Sequence, residues 1–302
     1  MFSLLTSQKN FSDPWVGNEK LNRLGLHKIR MQMAAAAVSL RRAQISWRTG
    51  QWRQQFARDG FIKVENFLPE DDFARLQQEV TKIAEQTRQL SPYETNTIPG
   101  FGPPITHDWG IDRFDGGTLN RFIKTDRANM PETHAFTRHK KLQTLCRTIV
   151  GLPLRPSNVR IYELVHGNET ANHDLQKDFH RDTFFTSMKF WYFVNPVTPD
   201  NGPFIYVPGS HKLTRERLEW EHQQAVFAAT NPSPNRGGSF RISAAELATM
   251  DLPEPITLTA SANTLVIADT LGFHRRGDAK PGTSRLSIYS SNRPSPFFPI
   301  GI

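Results

Sequence analysis

His180-Arg181-Asp182 is the stretch of this 302-residue sequence from which its interpretation starts. On an extended segment, a histidine and a carboxylate two residues apart point to the same side, because strand side chains alternate between faces. His180 and Asp182 can therefore coordinate one metal ion, and His274 is the downstream candidate for a third ligand. Two histidines and one carboxylate leave coordination positions open, as in non-haem Fe(II) sites that bind a co-substrate and dioxygen.

The His-x-Asp spacing is a weak signal by itself. The chain has 10 histidines and 29 acidic residues, so such a pair is expected by chance, and His180/Asp182 is the only one in the sequence. His-Arg-Asp also occurs in kinase catalytic loops, which have an asparagine five residues after the aspartate and a glycine-rich loop upstream. This chain has Ser187 at that position and no such loop, so we set the kinase interpretation aside. His173-Asp174 competes as a ligand pair, but adjacent strand residues face opposite ways.

Several further stretches give the triplet its context. They are Asp59 to Pro69 (DGFIKVENFLP), Asn201 to Lys212 (NGPFIYVPGSHK), Asn263 to Asp269 (NTLVIAD), and His274 followed by Thr283 to Tyr289 (TSRLSIY). In this order and spacing they resemble the phytanoyl-CoA dioxygenase-like family of Fe(II)- and 2-oxoglutarate-dependent oxygenases. The resemblance extends from about Gln51 to Phe297 and does not include the residues before it.

The resemblance implies which residues bind the metal and 2-oxoglutarate. His180, Asp182 and His274 match the metal ligands. Arg285, 11 residues after His274 (285 − 274), is at the family's position for a co-substrate arginine, whose planar fork suits a carboxylate. The other residues expected near 2-oxoglutarate are Ser287, Lys124, Tyr162, Trp191 and Thr264.

The chemistry implied by the resemblance uses dioxygen. Decarboxylation of 2-oxoglutarate to succinate and CO2 accompanies oxidation of an unactivated C–H bond of the substrate. Related halogenases lack the carboxylate ligand so that chloride can bind, whereas this sequence retains Asp182. We therefore expect hydroxylation rather than halogenation, with desaturation left open.

Hydrophobic patterning predicts a mainly β fold with flanking helices. Many short alternating segments separated by glycine and proline turns are typical of an antiparallel double sheet that closes on itself, the double-stranded β-helix or cupin-like jelly roll. We predict this domain at 51–302, with a helical, lid-like insertion at about 212–250. Further expectations are an irregular stretch from Pro92 to Thr118, one helix from His134 to Val150 and a strand from Thr183 to Val194.

Residues 1–50 are predicted to form a basic, helical N-terminal arm. Nine basic residues and no acid occur between Lys20 and Arg58, and Leu21 to Leu40 is rich in helix-forming residues. The arm packs on its own domain, packs on a second subunit, or lies on an anionic bilayer with its arginines at the headgroups. Asp13 and Glu19 disfavour a transit peptide.

The net charge of +8 indicates an affinity for anions. The arginines expected to make the mouth of the pocket cationic are Arg121, Arg160, Arg181, Arg275, Arg276 and Arg293. With the basic arm, this pattern is similar to peripheral enzymes that hydroxylate the lipid-linked sugar 3-deoxy-manno-octulosonic acid (Kdo) of lipopolysaccharide. Kdo is the preferred substrate hypothesis, and an acyl-CoA or a soluble acid metabolite is the alternative.

Composition also limits the compartment and the function class. The single cysteine, Cys146, cannot form an internal disulfide, and no stretch approaches the roughly 20 apolar residues of a membrane span. We expect a cytoplasmic protein that contacts the inner face of the membrane peripherally. A non-catalytic jelly-roll binding module is the alternative of another class, disfavoured because every expected site residue is present. Nucleic acid is not expected as a partner, because no recognised nucleic-acid motif occurs.

Overall fold

Two antiparallel β-sheets form the body of the protein, for which the computed structural model describes residues 2–43, 50–94, 97–152, 156–231 and 234–297. The strands in chain order are β1 (Phe61–Val64), β2 (Ile105–His107), β3 (Gly110–Asp115), β4 (Thr118–Lys124), β5 (Arg160–His166), β6 (Met188–Phe193), β7 (Phe204–Tyr206), β8 (Ile256–Leu258), β9 (Thr264–Asp269), β10 (His274–Arg276) and β11 (Ser284–Asn292). The large sheet has the order β1-β9-β6-β11-β5-β4-β3-β2, and the small sheet has the order β10-β7-β8.

The two sheets face each other across an aromatic core. Trp191 and Phe193 of β6 point into this core, and the Trp191 ring lies 4.5 Å from that of Phe204 on β7. Phe190 and Tyr192, the alternate residues of β6, point to the opposite face of the large sheet and are covered by helices. Strand β6 is therefore buried on both faces, and the two-sheet arrangement confirms the predicted jelly-roll fold.

Helices cover the outer face of the large sheet and one end of the barrel. They are α1 (Glu19–Arg23), α2 (Leu26–Ala43), α3 (Gly50–Asp59), α4 (Glu70–Leu90), α5 (Pro131–Thr137), α6 (Lys140–Val150), α7 (Arg215–Thr230) and α8 (Ala244–Ala248), with 3-10 helices at Phe2–Leu5 and Pro234–Gly237. The longest, α4, starts after Pro69 with three acids in its first turn, where the helix dipole favours negative charge. Its residues Leu76, Val80 and Ala84, spaced by four, form the buried face.

Three local predictions differ from the structure. The stretch from Pro92 to Thr118 was expected to be irregular, but β2 and β3 lie within it, because β2 pairs with β3 and β3 pairs with β4 despite the glycines and prolines. The helix expected from His134 to Val150 is divided into α5 and α6 around Arg138. In the segment from Thr183 to Val194, only Met188–Phe193 is a strand; the residues before it are buried without a ladder partner.

The N-terminal arm is folded onto the barrel. Gly25, with a φ of +94°, makes the turn between α1 and α2, a conformation that glycine adopts without strain. Met31 and Ala34 of α2 pack with Phe184 and Leu271 of the barrel. Arg48, one of the nine predicted basic residues, lies outside the described residues. None of the helices in the described ranges combines the length and apolar character that a transmembrane span requires.

The predicted insertion lies between β7 and β8 and contains α7 and α8. Its helix α7 packs against α1 and α2, so the arm and the insertion form one layer over the same end of the barrel. Trp220, Ala225 and Ala228 of α7 are buried in a cluster with Phe240 and Phe273. The role of this insertion as a lid stays a prediction.

Candidate metal centre and co-substrate site

The two predicted histidine ligands are joined by the backbone. His180 N donates to His274 O at 3.0 Å, and His274 N donates to His180 O at 2.9 Å. This antiparallel bridge extends the small sheet beyond β10 and brings the two imidazole ring centroids to 4.5 Å. Two ligands separated by 94 residues in sequence (274 − 180) thus have a fixed mutual position.

Both imidazoles are oriented for metal binding. His180 Nδ1 lies 2.8 Å from Asp178 O, and His274 Nδ1 lies 2.9 Å from Gly272 O. Because a carbonyl oxygen only accepts, each Nδ1 carries the proton and each Nε2 keeps a free lone pair. Both Nε2 atoms lie 3.9 Å from Asp182 Oδ1. His274 Nε2 is buried and has no hydrogen-bond partner within the described part of the chain.

The three side chains fit a divalent metal such as Fe(II). One donor atom from each of His180, Asp182 and His274 lies within 4.8 Å of the others, and all three residues are buried. Burial and the neighbouring His274 lower the pKa of His180 to about 3, and burial also lowers the pKa of His274. The imidazoles are therefore neutral at physiological pH, which is the form that binds a metal.

Lys189 on β6 completes the surroundings of the carboxylate. Its Nζ lies 2.7 Å from Asp182 Oδ2, the oxygen that faces away from the two Nε2 atoms. Burial alone would raise the pKa of Asp182, but Lys189 and the two histidines hold it well below its ordinary value. Asp182 is consequently an anion with one oxygen paired and the other directed at the histidines.

Arg285 on β11 is poised for an anionic ligand. Its guanidinium is buried, Nη1 donates to Gly202 O, and the ring of Phe193 lies 5.7 Å away. Its Nε has no hydrogen-bond partner in the described residues. Burial lowers the pKa of Arg285 to about 10, so the group remains a cation at neutral pH. A buried, incompletely paired guanidinium suits one end of a dicarboxylate.

A cavity of about 330 Å³ contains the metal ligands and Arg285. The predicted residues that line it are His180, Asp182, His274, Arg285, Tyr162, Trp191, Arg275, Arg276 and Arg293. Ser287 lies next to it, two residues after Arg285 on the same strand face, and its Oγ lies 3.4 Å from Tyr162 O. The structure therefore brings most of the predicted metal and co-substrate residues together.

A family model described as phytanoyl-CoA dioxygenase (PhyH) matches residues 56–248, more than half of the chain. The chain belongs to the PhyH family. It is accordingly a non-haem iron oxygenase dependent on 2-oxoglutarate, and the donor set His180, Asp182 and His274 fits iron. His274 and Arg285 lie beyond the matched residues, so their place in the site rests on the geometry described above.

Solved structures with similar folds have low sequence identity to this PhyH-family chain. The epimerase SnoN in complex with Fe3+, alpha-ketoglutarate and nogalamycin RO is 16% identical, with a TM-score of 0.48 over 80% of this chain and 81% of SnoN. EctD from S. alaskensis with bound Fe is 17% identical, with a TM-score of 0.45 over 82% and 76%. HygX from Streptomyces hygroscopicus with nickel and 2-oxoglutarate bound is 15% identical, with a TM-score of 0.45 over 80% and 86%.

Two residues predicted to bind 2-oxoglutarate lie elsewhere. Lys124 is exposed, its Nζ donates to Asp108 O at 3.1 Å, and it lines a different cavity beside α4. Lys124 is the last residue of β4, and its side chain turns to Asp108 at that end of the strand instead of entering the metal cavity. Thr264 is fully buried at the start of β9, where its nearest polar side-chain partner is Ser261 Oγ at 3.4 Å. Neither residue reaches the PhyH-family cavity.

Several predicted substrate arginines are instead occupied by internal partners. Arg121 forms a buried ion pair with Asp112 at 2.8 Å, and Arg181 forms one with Glu221 at 2.6 Å. Arg276 lines the cavity, but it is paired with Asp174 at 2.8 Å and donates to Asn120 at 2.7 Å. Glu221 and Asp174 are distant in sequence from their partners, and Asp112 is brought opposite Arg121 by the β3–β4 pairing, which was not predicted. Arg160 lies outside the metal cavity, in an adjoining one.

The sequence reasoning missed several residues that line the cavity, among them Lys189, Tyr289 and Gln176. Two of them had a signal in the strand alternation. Lys189 precedes Trp191 by two residues on β6, and Tyr289 follows Ser287 by two residues on β11, so each shares a face with a predicted site residue. Gln176 comes from a loop, for which periodicity gives no direction.

Proposed function

We propose that this PhyH-family oxygenase hydroxylates an unactivated C–H bond of an anionic substrate. His180, Asp182 and His274 hold Fe(II) in this proposal, and Arg285 binds the distal carboxylate of 2-oxoglutarate. When bound, iron and 2-oxoglutarate supply the activation of dioxygen, with release of succinate and CO2. The observation that carries the proposal is the presence, in one cavity, of three converging donor atoms and a buried arginine whose Nε has no hydrogen-bond partner among the described residues.

The protein residues keep the donors in the form that binds iron. The carbonyl groups of Asp178 and Gly272 hold the Nδ1 protons, so that both Nε2 atoms remain free. Lys189 pairs with Asp182 Oδ2, which favours ligation through Oδ1 alone and leaves positions open for co-substrate and dioxygen. Donors oriented in this way need little rearrangement when the metal binds.

Aromatic residues form the wall beside the donors and restrict water. The Phe204 ring lies 5.4 Å from that of His274 and 4.5 Å from that of Trp191. Tyr162 stacks on Phe122 at 4.6 Å and donates its hydroxyl to Asn120. An apolar wall of this kind protects a reactive site from side reactions with solvent.

The charge of the cavity supports an anionic substrate. Six cationic residues and one carboxylate line it, and three of the cations are paired with Asp115, Asp174 or Asp182. Within the described ranges, Arg275, Arg285 and Arg293 have no carboxylate partner within 4.0 Å. If Arg285 serves 2-oxoglutarate, Arg275 and Arg293 remain for the substrate.

An adjoining cavity of about 640 Å³ extends this positive region outward. It shares Phe122, Tyr289 and Arg293 with the metal cavity and adds Arg160 and Asn158. A substrate that spans both cavities would place its anionic group at Arg293 or Arg160 and its oxidised carbon beside the metal. This arrangement retains two of the predicted substrate arginines.

The lipid-linked sugar Kdo is the narrower candidate, and the outer face of α2 supports it. Ile29, Met33, Ala36 and Leu40 follow each other at spacings of four, three and four residues and are all exposed, three of them to about half of their surface. Such a stripe beside the basic residues of the arm can lie on an anionic bilayer. We propose that this face holds the barrel beside a membrane-bound substrate.

The iron and 2-oxoglutarate sites are tested by anaerobic titration of the purified protein. Fe(II) plus 2-oxoglutarate should give a visible charge-transfer band, and His180→Ala should lose it. Formation of succinate from 2-oxoglutarate in the absence of a substrate is a second measurement of the same site. A wild-type protein that shows neither the band nor succinate would refute the proposed reaction class.

The substrate class is tested by the stimulation of succinate formation. Probes are free Kdo, Kdo-lipid A in vesicles, palmitoyl-CoA and a neutral sugar as control. An anionic probe should stimulate turnover, and Arg293→Met should weaken its apparent affinity by roughly tenfold or more. Arg215→Met, which changes an exposed arginine of α7, is the matched control and should have no effect. Stimulation by the neutral sugar alone would contradict an anionic substrate.

The membrane contact is tested by co-sedimentation with anionic and neutral vesicles at low and high salt. Replacing Ile29, Met33 and Leu40 with serine should release the protein from anionic vesicles, whereas Phe227→Ser, an exposed apolar residue of α7, should not. Wild-type protein that ignores anionic vesicles at low salt would leave a soluble acid or an acyl-CoA as the substrate class.

A further inference from the structure

Lys9, in the N-terminal segment, reaches the backbone of a candidate metal ligand. Its Nζ donates to Asp182 O at 2.6 Å and to Ser239 Oγ at 2.6 Å. Ser239 Oγ in turn lies 3.1 Å from the same carbonyl and lines the metal cavity. One ammonium group thus joins the metal-binding segment to the insertion.

The segment that supplies Lys9 is firmly held in place. Arg30 of α2 donates to the carbonyl groups of Leu4, Thr6 and Gln8, on the segment that leads to Lys9. Phe11 N donates to Arg236 O at 2.8 Å, and the Phe11 ring packs 5.4 Å from that of Phe240. The approach of Lys9 to Asp182 therefore results from a docked main chain on both sides of the lysine.

The chain passes so close to the insertion that one position admits only glycine. Gly238 has a φ of +76°, and a Cβ built on it would lie 2.0 Å from Lys9 O. The backbones of Lys9 and Gly238 are therefore in direct contact, next to Ser239, which lines the cavity. The N-terminal segment is thereby part of the wall of the candidate metal site, although it lies outside residues 56–248 of the family match.

We propose that Lys9 is a positioning residue of the metal centre, an inference that rests on the proposed role of His180, Asp182 and His274. Asp182 N is paired with Thr270 O, while its carbonyl oxygen receives Lys9 and Ser239. These bonds fix the peptide on the C-terminal side of the ligand, and with it the direction of the carboxylate. A partner that orients a ligand changes metal affinity without touching the metal.

The test uses Lys9→Met, which keeps the length of the side chain but removes the ammonium. The Fe(II) dissociation constant, measured anaerobically by calorimetry, should rise about 10–100-fold, the range typical of groups that orient metal ligands. Lys28→Met is the matched control, because Lys28 lies on the same arm and pairs with Glu219 at 3.4 Å, remote from the site. Thermal unfolding of the metal-free proteins separates a loss of affinity from a loss of folding.

Chemical rescue distinguishes the ammonium group from a general packing role. Cys146 is the only cysteine of the chain and is fully buried, so a Lys9→Cys variant can be alkylated selectively with bromoethylamine. The product restores an ammonium at the length of lysine, and Fe(II) affinity should return toward the wild-type value. Iodoacetamide, which adds a neutral group, should not restore it.

The outcomes separate this inference from the function on which it rests. Absence of Fe(II) binding by the wild-type protein would overturn both. Wild-type binding with unchanged affinity in Lys9→Met would overturn only the role of Lys9. A weakened Lys9→Met variant that recovers with either alkylating agent would also overturn it, because bulk rather than charge would then be sufficient.

Discussion

Residues 180–182 contribute to two buried charged clusters, one on each side of the segment, and the two clusters differ in how completely they are paired. On one side, Glu221 accepts hydrogen bonds from Arg181 and Arg217 and contacts His27 Nε2 at 3.0 Å. On the other side, among the described residues, His274 Nε2 and Arg285 Nε have no partner. Buried polar groups are normally satisfied, so unsatisfied ones require an explanation.

The difference indicates how a structural cluster and a binding site can be told apart. The Glu221 cluster joins the arm through His27, the insertion through Arg217 and the metal-binding segment through Arg181. Among the described residues, none of its buried side-chain nitrogen or oxygen atoms is without a hydrogen-bond partner. The metal face instead directs its donor atoms into the cavity. We infer that stability depends mainly on the first cluster and function on the second, and four predictions examine this inference.

The largest effect is expected from Glu221→Ala. This substitution leaves two buried arginines without their carboxylate, and breaking a buried pair in this way costs about 3–5 kcal/mol in the free energy of unfolding. Urea denaturation measures the change. Glu219→Ala, on the exposed side of the same helix, is the control and should change stability little. Equal losses in the two variants would remove the structural role assigned to the Glu221 cluster.

A smaller effect, on binding rather than folding, is expected from Arg285→Met. Loss of a charge-assisted pair should weaken 2-oxoglutarate binding by about 1.5–3 kcal/mol, while Fe(II) binding alone is retained. Anaerobic titration monitored by the charge-transfer band measures both steps. Arg160→Met, in the adjoining cavity, serves as the control. Retained 2-oxoglutarate affinity in Arg285→Met would require another cation, and Arg275, which also lines the cavity, is the next candidate.

A pH dependence follows from His27 in the Glu221 cluster. Burial lowers the pKa of His27 to about 4, although Glu221 acts to raise it. The folded protein therefore protonates His27 only at a lower pH than the unfolded protein does. Its contribution to stability is therefore complete above pH 6.5 and is lost as the pH falls toward 4. Between these values, His27→Gln should reduce the pH slope of the unfolding free energy by at most about 1.4 kcal/mol per pH unit. Identical slopes for both proteins would show that His27 is not buried as described.

The smallest effect on stability is expected from His274→Asn. Asparagine can still donate to Gly272 O from the position of Nδ1, and the deleted Nε2 had no partner to lose in the described structure. The free energy of unfolding of the metal-free protein should change by about 1 kcal/mol or less, while Fe(II) binding is abolished. A strongly destabilised variant would mean that the triad is as structural as the Glu221 cluster.

Strand alternation explains most of what the sequence alone predicted. The sequence correctly placed His180 with Asp182 and Arg285 with Ser287 on common faces. Side chains of an extended segment alternate between faces, so this placement depends only on neighbouring residues. Arg121, Arg181 and Arg276 were misjudged for the opposite reason. Their carboxylate partners are set by tertiary packing, and a sequence pattern cannot tell a free cation from a paired one.

Lys9 is the clearest limit of sequence reasoning in this molecule. It lies 173 residues from Asp182 in sequence, in a segment with no periodic pattern, and outside the family resemblance. The hairpin of β2 and β3 was missed in a similar way, because glycine and proline content disfavours strands unless a partner strand satisfies the backbone. The first feature depends on a contact between distant parts of the chain, and the second depends on pairing between neighbouring strands.

The reciprocal backbone hydrogen bonds between His180 and His274 also determine when iron can be acquired during biosynthesis. A ribosome makes residue 180 long before residue 274, and until the later strand has been made and paired, the chain has only a two-residue, weakly chelating His-x-Asp site. The complete three-ligand site therefore exists only after the two segments have paired, and tight metal binding is expected no earlier than closure of the barrel. In a cell with scarce iron or competing zinc, the pool of inactive enzyme would be set by metal supply after translation and not by folding.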